Sequence, residues 1–448
     1  MKKKISVLIK KKINKFNKTV KSPADKSCSI RALLFASQCI GISKIKNLLE
    51  SEDVLNCLQA LRKLGVKIVK SNGVYSIYGN GLSSFRIKKK LTKIYIGNSL
   101  TTSRLLCGLL STHPRKFYLY GDASANKRDM SRVIKPLEKI GAFFYPKGKK
   151  TTPLIIEGTS MPLAQNHIES LGSGQVKSSI LLAALNTPGI TTIEEQKISR
   201  NHSEIFLNEI NADIKIKKIK KRNLISLRGQ KNLHCFNYTV SSDPSSTSFL
   251  IALTLLTPGS QLLIHNVLCN STRIGFIKVL KDKMNANIRI KNLKKISGEP
   301  VGSILVKSSS LKKINCPKKI VTSLIDEFPI LFIIAALTKG VSKFKSIGEL
   351  RHKESDRIKN IEFGLNKIGI KTISTANSLK VFGNPNIKIK KKLDIYPKGD
   401  HRIAMSWAIL GLLTSERKIK IHNFETVNTS FPNFVSLIRS LGGEIEIQ

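Results

Sequence analysis

Seven short stretches of the sequence combine residue types that bind oxyanions or move protons. Ile325-Asp326-Glu327-Phe328-Pro329 sets two carboxylates directly against an apolar run, where charge is costly to bury unless paired or used. Leu350-Arg351-His352-Lys353-Glu354-Ser355-Asp356-Arg357 is dense in mixed charge, and helical spacing would place Arg357 on one face with Glu354 and Lys353. Asp400-His401-Arg402 delivers a cation to the start of another apolar run. Three further stretches set hydroxyls, amides and cations ahead of apolar helices: Asp25-Lys26-Ser27-Cys28-Ser29-Ile30-Arg31, Gly97-Asn98-Ser99-Leu100-Thr101-Thr102-Ser103-Arg104 and Ser173-Gly174-Gln175-Val176-Lys177-Ser178. Asp243-Pro244-Ser245-Ser246-Thr247 repeats the theme and reads more simply as an N-cap cluster. Singly, each stretch is also an ordinary cap or a surface ion-pair network. Together they predict a pocket for an anionic substrate with more than one phosphate or carboxylate, because helix N-termini favour negative charge. Asp326 and Glu354 are the acid–base groups beside it. No Walker loop, metal-ligand cluster or dinucleotide fingerprint occurs, so neither a metal nor a cofactor is expected.

The elements that must hold these stretches follow a repeating phrase: an apolar helix end, then Gly or Asn, then an apolar strand start. Its copies are Leu61-Arg-Lys-Leu-Gly65, Leu137-Glu-Lys-Ile-Gly141, Leu207-Asn-Glu-Ile-Asn211, Lys281-Asp-Lys-Met-Asn285, Leu365-Asn-Lys-Ile-Gly369 and Ile438-Arg-Ser-Leu-Gly442. Gly and Asn are the residues that tolerate the left-handed conformation closing a helix. The copies recur every 70–85 residues or so, enough for a complete small α/β unit, and six such units account for the chain. Pro23 and the Ser241–Pro244 stretch interrupt the pattern, giving two domains of three units each: 1–22 plus 243–448, and 23–242, with hinges near 22–24 and 241–244. The first strand then belongs with the C-terminal domain.

The composition excludes some classes and misleads about others. The 448 residues carry a formal charge of +48 with 41% apolar content, so the chain can build substantial cores. No apolar run approaches the roughly 18 residues of a membrane span, and the N-terminal apolar stretch is too short for a secretory signal, so a cytoplasmic chain is expected. The seven cysteines are scattered and read as reduced and mostly buried, with neither a disulfide framework nor a zinc site. The charge invites a nucleic-acid reading, yet the Lys runs (Lys2 to Lys4, Lys10 to Lys12, Lys88 to Lys90, Lys217 to Lys221, Lys390 to Lys392) are dispersed and lack interleaved aromatics. No nucleic-acid partner is expected. Because Lys so outnumbers Arg, attention falls on arginines whose forked guanidinium does what ammonium cannot: Arg31, Arg104, Arg128, Arg200, Arg351, Arg357 and Arg402.

In order and spacing the motifs Asp-Lys-Ser-x-Ser-x-Arg, Gly-Asn-x-x-Thr, Gln-Val-Lys-Ser, Asp-Pro-Ser-Ser-Thr, Ile-Asp-Glu-x-Pro, Leu-Arg-x-Lys-Glu-Ser-Asp-Arg and Asp-His-Arg-Ile-Ala-Met-Ser resemble the 5-enolpyruvylshikimate-3-phosphate synthase family, in its class II branch, from about Lys21 to the C-terminus. The resemblance implies the two-domain α/β enolpyruvyl transferase fold, each domain three βαβαββ units in an inside-out barrel-like arrangement that closes on substrate. It implies transfer of the enolpyruvyl group of phosphoenolpyruvate to the 5-hydroxyl of shikimate 3-phosphate, with release of phosphate and no cofactor, in aromatic amino-acid biosynthesis. By the family's pattern Lys26, Ser27, Arg31, Ser173, Gln175, Arg200, Asp326 and Lys353 hold shikimate 3-phosphate. Lys26, Asn98, Arg128, Gln175, Arg357 and Arg402 hold phosphoenolpyruvate. Asp326, Glu354, Lys26 and Lys353 carry the proton transfers. The expected partners are these two small molecules, with no membrane, and the chain is expected to be a monomer.

The chain departs from the family's pattern at four places. Leu100 stands where the family has a small residue and should crowd the phosphoenolpyruvate pocket, so that either the loop shifts or binding is weak and the longer glyphosate is excluded; Ala24, Ile30 and Asp129 also differ from the usual residues. Two rival readings stay open at this point: an enolpyruvyl transferase acting on UDP-N-acetylglucosamine, and an inactive relative that binds nucleic acid through its charge.

Overall fold

The computed structural model describes residues 4–389, 392–414 and 419–448, so Lys2, Lys3, Lys390 and Lys391 of the lysine runs lie outside the described residues. Each copy of the repeated phrase closes a helix. Gly65, Gly141, Asn211, Asn285, Gly369 and Gly442 all take positive φ, between 62° and 114°, which is the conformation that Gly and Asn adopt at least cost. The helices they end are α2 (Glu52–Lys63), α4 (Ser131–Ile140), α6 (His202–Glu209), α8 (Gly275–Met284), α10 (Arg357–Lys367) and α12 (Phe434–Ser440), and a strand follows every one.

Of these, α2, α4 and α10 bury one face only, as amphipathic surface helices do, whereas α6 is buried from His202 to Leu207 except at the half-buried Ile205. The helix that begins each unit behaves differently. α1 (Lys26–Ala36), α3 (Leu100–Leu110), α5 (Gly174–Leu185), α7 (Pro244–Leu256), α9 (Phe328–Ala336) and α11 (His401–Thr414) are buried along almost their whole length. Their sequences are apolar all round, so they are the cores against which the sheets pack.

The chain divides into two compact units. The first comprises residues up to Pro23, Ser241–Lys294 and Pro300–Gln448; the second comprises Ala24–Val240 with Lys295–Glu299. The segment Lys295–Glu299 therefore departs from the expected assignment of all of 243–448 to one domain. Its bonds explain this: Ser297 Oγ accepts from Thr239 N at 3.1 Å, and Glu299 meets His202 at 2.6 Å.

Among the described residues there are six small sheets, five of four strands and one of three. The sheet of Leu91–Tyr95, Lys116–Tyr120, Leu154–Glu157 and Phe143–Tyr145, in that spatial order, shows the plan. Its first two strands are parallel across α3 and the others antiparallel, giving βαβαββ. Three sheets are completed by distant chain, one of them by Asn17–Lys21, which runs parallel to Gln261–Leu268. Val7–Ile9 lies antiparallel between Ile419–Ile421 and Ile445–Ile447, and Asn237–Thr239 runs parallel to Ile40–Lys46. No helix among the described residues is long and apolar enough to cross a membrane.

Packing in the first unit is tight where α10 meets α11. A Cβ built on Gly364 would lie 2.0 Å from Cζ2 of Trp407, whose side chain is fully buried. The Gly364→Ala variant is expected to lose about 1–3 kcal/mol of stability through overpacking. Urea denaturation of the full chain checks this, and an unchanged midpoint would contradict the packing described.

Candidate active site

Six of the seven polar stretches singled out above fall at the N-termini of the buried helices, and Leu350–Arg357 leads into the amphipathic α10; in each case first-turn N–H groups need partners. Asp25 caps α1 by accepting from Cys28 N, Ser99 caps α3, Ser173 caps α5 and Asp243 caps α7. Asp400 accepts from Arg402 N at 3.0 Å at the start of α11.

In the second unit Arg31, buried at 3% exposure, donates to Ser203 Oγ at 3.0 Å, Ser27 O at 3.1 Å and Ser178 Oγ at 2.8 Å, all neutral oxygens. Burial pushes its pKa below the ordinary value and Arg200 adds to this, against the opposing influence of Cys28, Asp25 and Glu204. Two guanidinium groups thus act on one another in this region, where like charge favours an anion beside them. Beneath it, Lys177 is fully buried between Glu195 at 2.7 Å and Glu204 at 2.6 Å. Glu195 also accepts from Ser199 N at 2.8 Å, fixing the backbone beside Arg200. Gly174 lets that backbone come close, since a Cβ there would lie 3.2 Å from Arg200 O.

A second cluster lies along α3. Arg128 donates to the carbonyl and, at 3.1 Å, to the side-chain oxygen of Asn98, whose amide donates to Asp122 at 2.8 Å. Gln175 is held at both ends: its oxygen accepts from Arg104 at 2.7 Å and its amide donates to Thr101 at 2.9 Å. Lys26 pairs with Asp53 at 2.8 Å. Leu100 is the first residue of α3 and only 6% exposed.

The first unit holds the carboxylates. Asp326 is faced by three cations: Arg357 at 3.5 Å, Lys353 at 3.9 Å and Arg402 at 4.0 Å. Arg357, 1% exposed, pairs with Glu354 at 2.6 Å and Asp400 at 2.8 Å. Burial alone would lower its pKa, but Asp400, Glu354 and Asp326 outweigh that and hold it above the ordinary value. This is no exposed salt-bridge network. The expected helical face is also corrected: α10 starts at Arg357 because Asp356 is its N-cap, accepting from Lys359 N at 2.9 Å, so Lys353 and Glu354 precede the helix.

Comparison with known proteins fits this geometry. A sequence model of the family described as EPSP synthase (3-phosphoshikimate 1-carboxyvinyltransferase) matches residues 10–438. The chain belongs to this family. A 3-phosphoshikimate 1-carboxyvinyltransferase from Zymomonas mobilis is 38% identical over 98% of this chain and 97% of its own length. One from Petrotoga mobilis is 40% identical over 95% of this chain and 97% of its own. The solved EPSP synthase of Acinetobacter baumannii superposes with a TM-score of 0.84 at 36% identity, covering 99% of this chain and all of that one. The enolpyruvyl transferase NikO of Streptomyces tendae, at 14% identity and a TM-score of 0.76 over 99% of both chains, shares the fold. The architecture is accordingly the two-domain α/β enolpyruvyl transferase fold.

Several residues of these clusters escaped the sequence reading. Asp53, in the first turn of α2, belongs to none of the motifs, yet it is 3% exposed and carries Lys26. Ser178 ends the Gln-Val-Lys-Ser motif and Arg104 is among the sparse arginines, yet neither carries an expected role, and Ser203 has no signal beyond helical polarity. Asp400 was visible only as the neighbour of Arg402. Because it is the closest carboxylate on Arg357 Nε, at 2.8 Å, Asp400→Asn should cost about 3 kcal/mol of stability, the low end for a broken buried pair since Glu354 and Asp326 remain. Chemical denaturation measures this, and a loss below about 1 kcal/mol, the range of an exposed pair, would contradict the account.

Proposed function

We propose that this chain carries out the EPSP synthase reaction through these two sets of groups. Phosphoenolpyruvate and shikimate 3-phosphate combine to form the enolpyruvyl ether at the 5-hydroxyl, and inorganic phosphate leaves. The observation that carries the reading is made within each unit by itself: one holds acid–base carboxylates faced by cations, and the other holds the buried Arg31 guanidinium bonded to neutral oxygens.

In this reading Ser27, Arg31, Ser173 and Arg200 hold the shikimate phosphate, Lys26 and Lys353 contribute further charge, and Gln175 lies over the ring. Arg104 and Thr101 fix the rotamer of Gln175, so its amide is presented without loss of side-chain freedom on binding. Lys26, Asn98, Arg128, Gln175, Arg357 and Arg402 receive the carboxylate and phosphate of phosphoenolpyruvate. Asp326 takes the proton from the 5-hydroxyl as the oxygen attacks C2 of phosphoenolpyruvate. Glu354, with Lys353 or Lys26, delivers a proton to the methylene carbon, giving a tetrahedral intermediate. The same carbon then loses a proton as phosphate departs with the C–O bonding pair, which restores the double bond. The cations around the departing phosphate stabilise the charge that develops on it.

A phosphate-release assay tests the reading. Release from phosphoenolpyruvate should require shikimate 3-phosphate and should not be supported by UDP-N-acetylglucosamine. Asp326→Asn should lower kcat by roughly 10²–10⁴-fold, the usual contribution of a positioned general base. Full activity in that variant, or release supported by the nucleotide sugar alone, would overturn it.

A further inference from the structure

Three metal-ligating residue types that the reaction does not use meet inside the second unit. Cys28 lies in the first turn of α1, His202 is the first residue of α6, and Glu299 ends the segment Lys295–Glu299. One sulfur, one imidazole nitrogen and one carboxylate oxygen, one from each residue, all lie within 4.8 Å of one another. All three residues are buried, at 1%, 0% and 1% exposure respectively. His202 Nδ1 and Glu299 Oε1 stand 2.6 Å apart. The phenol of Tyr238 hydrogen-bonds to Cys28, and burial, with Cys28 and Glu299 adding to it, pushes its pKa well above the ordinary value, so it stays protonated.

We propose that Cys28, His202 and Glu299 form a binding site for a divalent transition-metal ion, with zinc the natural occupant. The donor set carries the choice of ion. Calcium and magnesium take oxygen ligands, whereas a thiolate, an imidazole and a carboxylate suit zinc, with the fourth tetrahedral position left to a small ligand. Charge agrees, because a thiolate and a carboxylate together neutralise a 2+ ion. The His202–Glu299 contact has to widen to about 3.3 Å, the edge of a tetrahedron with bonds near 2.0 Å. On binding, Cys28 gives up its thiol proton to solvent and His202 ligates as neutral imidazole, so affinity rises with pH.

The ion would join segments that matter for anion binding. Cys28 follows Ser27 and precedes Arg31 by three residues, and His202 follows Arg200 by two. Occupancy thus braces α1 against the start of α6. Metal retention is read independently of turnover, so the site stands or falls apart from the functional reading.

The test uses the tag-free full chain, stripped with chelator and titrated with cobalt(II) as a spectroscopic probe. Expected are one equivalent bound, a thiolate-to-cobalt charge-transfer band in the near ultraviolet, and displacement of the band by zinc. Cys28→Ser should abolish the band and weaken binding roughly a hundredfold or more, since even outer-shell losses cost 10–100-fold. Cys235→Ser, which alters the exposed cysteine, should leave both unchanged. Circular dichroism checks the fold of each variant. Zinc should also raise the melting temperature of the unmodified chain, a readout that needs no variant. Absence of both the band and the melting shift, a band that survives Cys28→Ser in a folded protein, or a band that follows Cys235 would overturn the proposal.

Discussion

Six helices buried along almost their whole length leave the chain only their ends at which to place polar groups. A buried helix cannot hydrate the N–H groups of its first turn, so each end must supply a cap, an anion or a paired charge. Asp25, Ser99, Ser173, Asp243 and Asp400 meet that need directly. The cations gathered beside these caps are costly to hold there without an anionic partner. Fold and chemistry are linked at this point: burial of α1, α3 and α5 sets the guanidinium and hydroxyl groups of the second unit, and burial of α9 and α11 sets the carboxylates of the first.

What could be read in the sequence was local. The six Gly or Asn positions announce helix ends because few other residues take positive φ, and the polar stretches announce helix starts because the apolar runs behind them are unmistakable. Partners brought together by topology could not be read. Asp53 lies 27 positions from Lys26, and Ser203 lies 172 positions from Arg31. Nor does periodicity reveal that Asp356 stops the helix short of Glu354, or that Lys295–Glu299 clusters with the second unit. The Cys28, His202 and Glu299 cluster was invisible for the same reason. Scanning cysteine spacing for pairs finds local ligand sets, not ones assembled from three distant segments.

The net charge of +48 and the site are separate matters. Most lysines are spread along surface strands and helix ends, as at Lys215, Lys217 and Lys218, which are exposed. Four of the arginines expected at the site are buried, Arg31 at 3%, Arg128 at 9%, Arg357 at 1% and Arg402 at 8% exposure, while Arg200 is half-buried. A planar guanidinium can keep several fixed bonds to its own protein while still facing an oxyanion, which ammonium cannot do as well.

If guanidinium geometry, rather than net charge, carries function, Arg31→Lys shows it most directly because the substitution leaves the net charge unchanged. Calorimetric titration with shikimate 3-phosphate should show affinity falling by roughly ten- to a hundredfold, as expected for losing charge-assisted hydrogen bonds to a phosphate. Equal affinity of the native chain and the Arg31→Lys variant would contradict it.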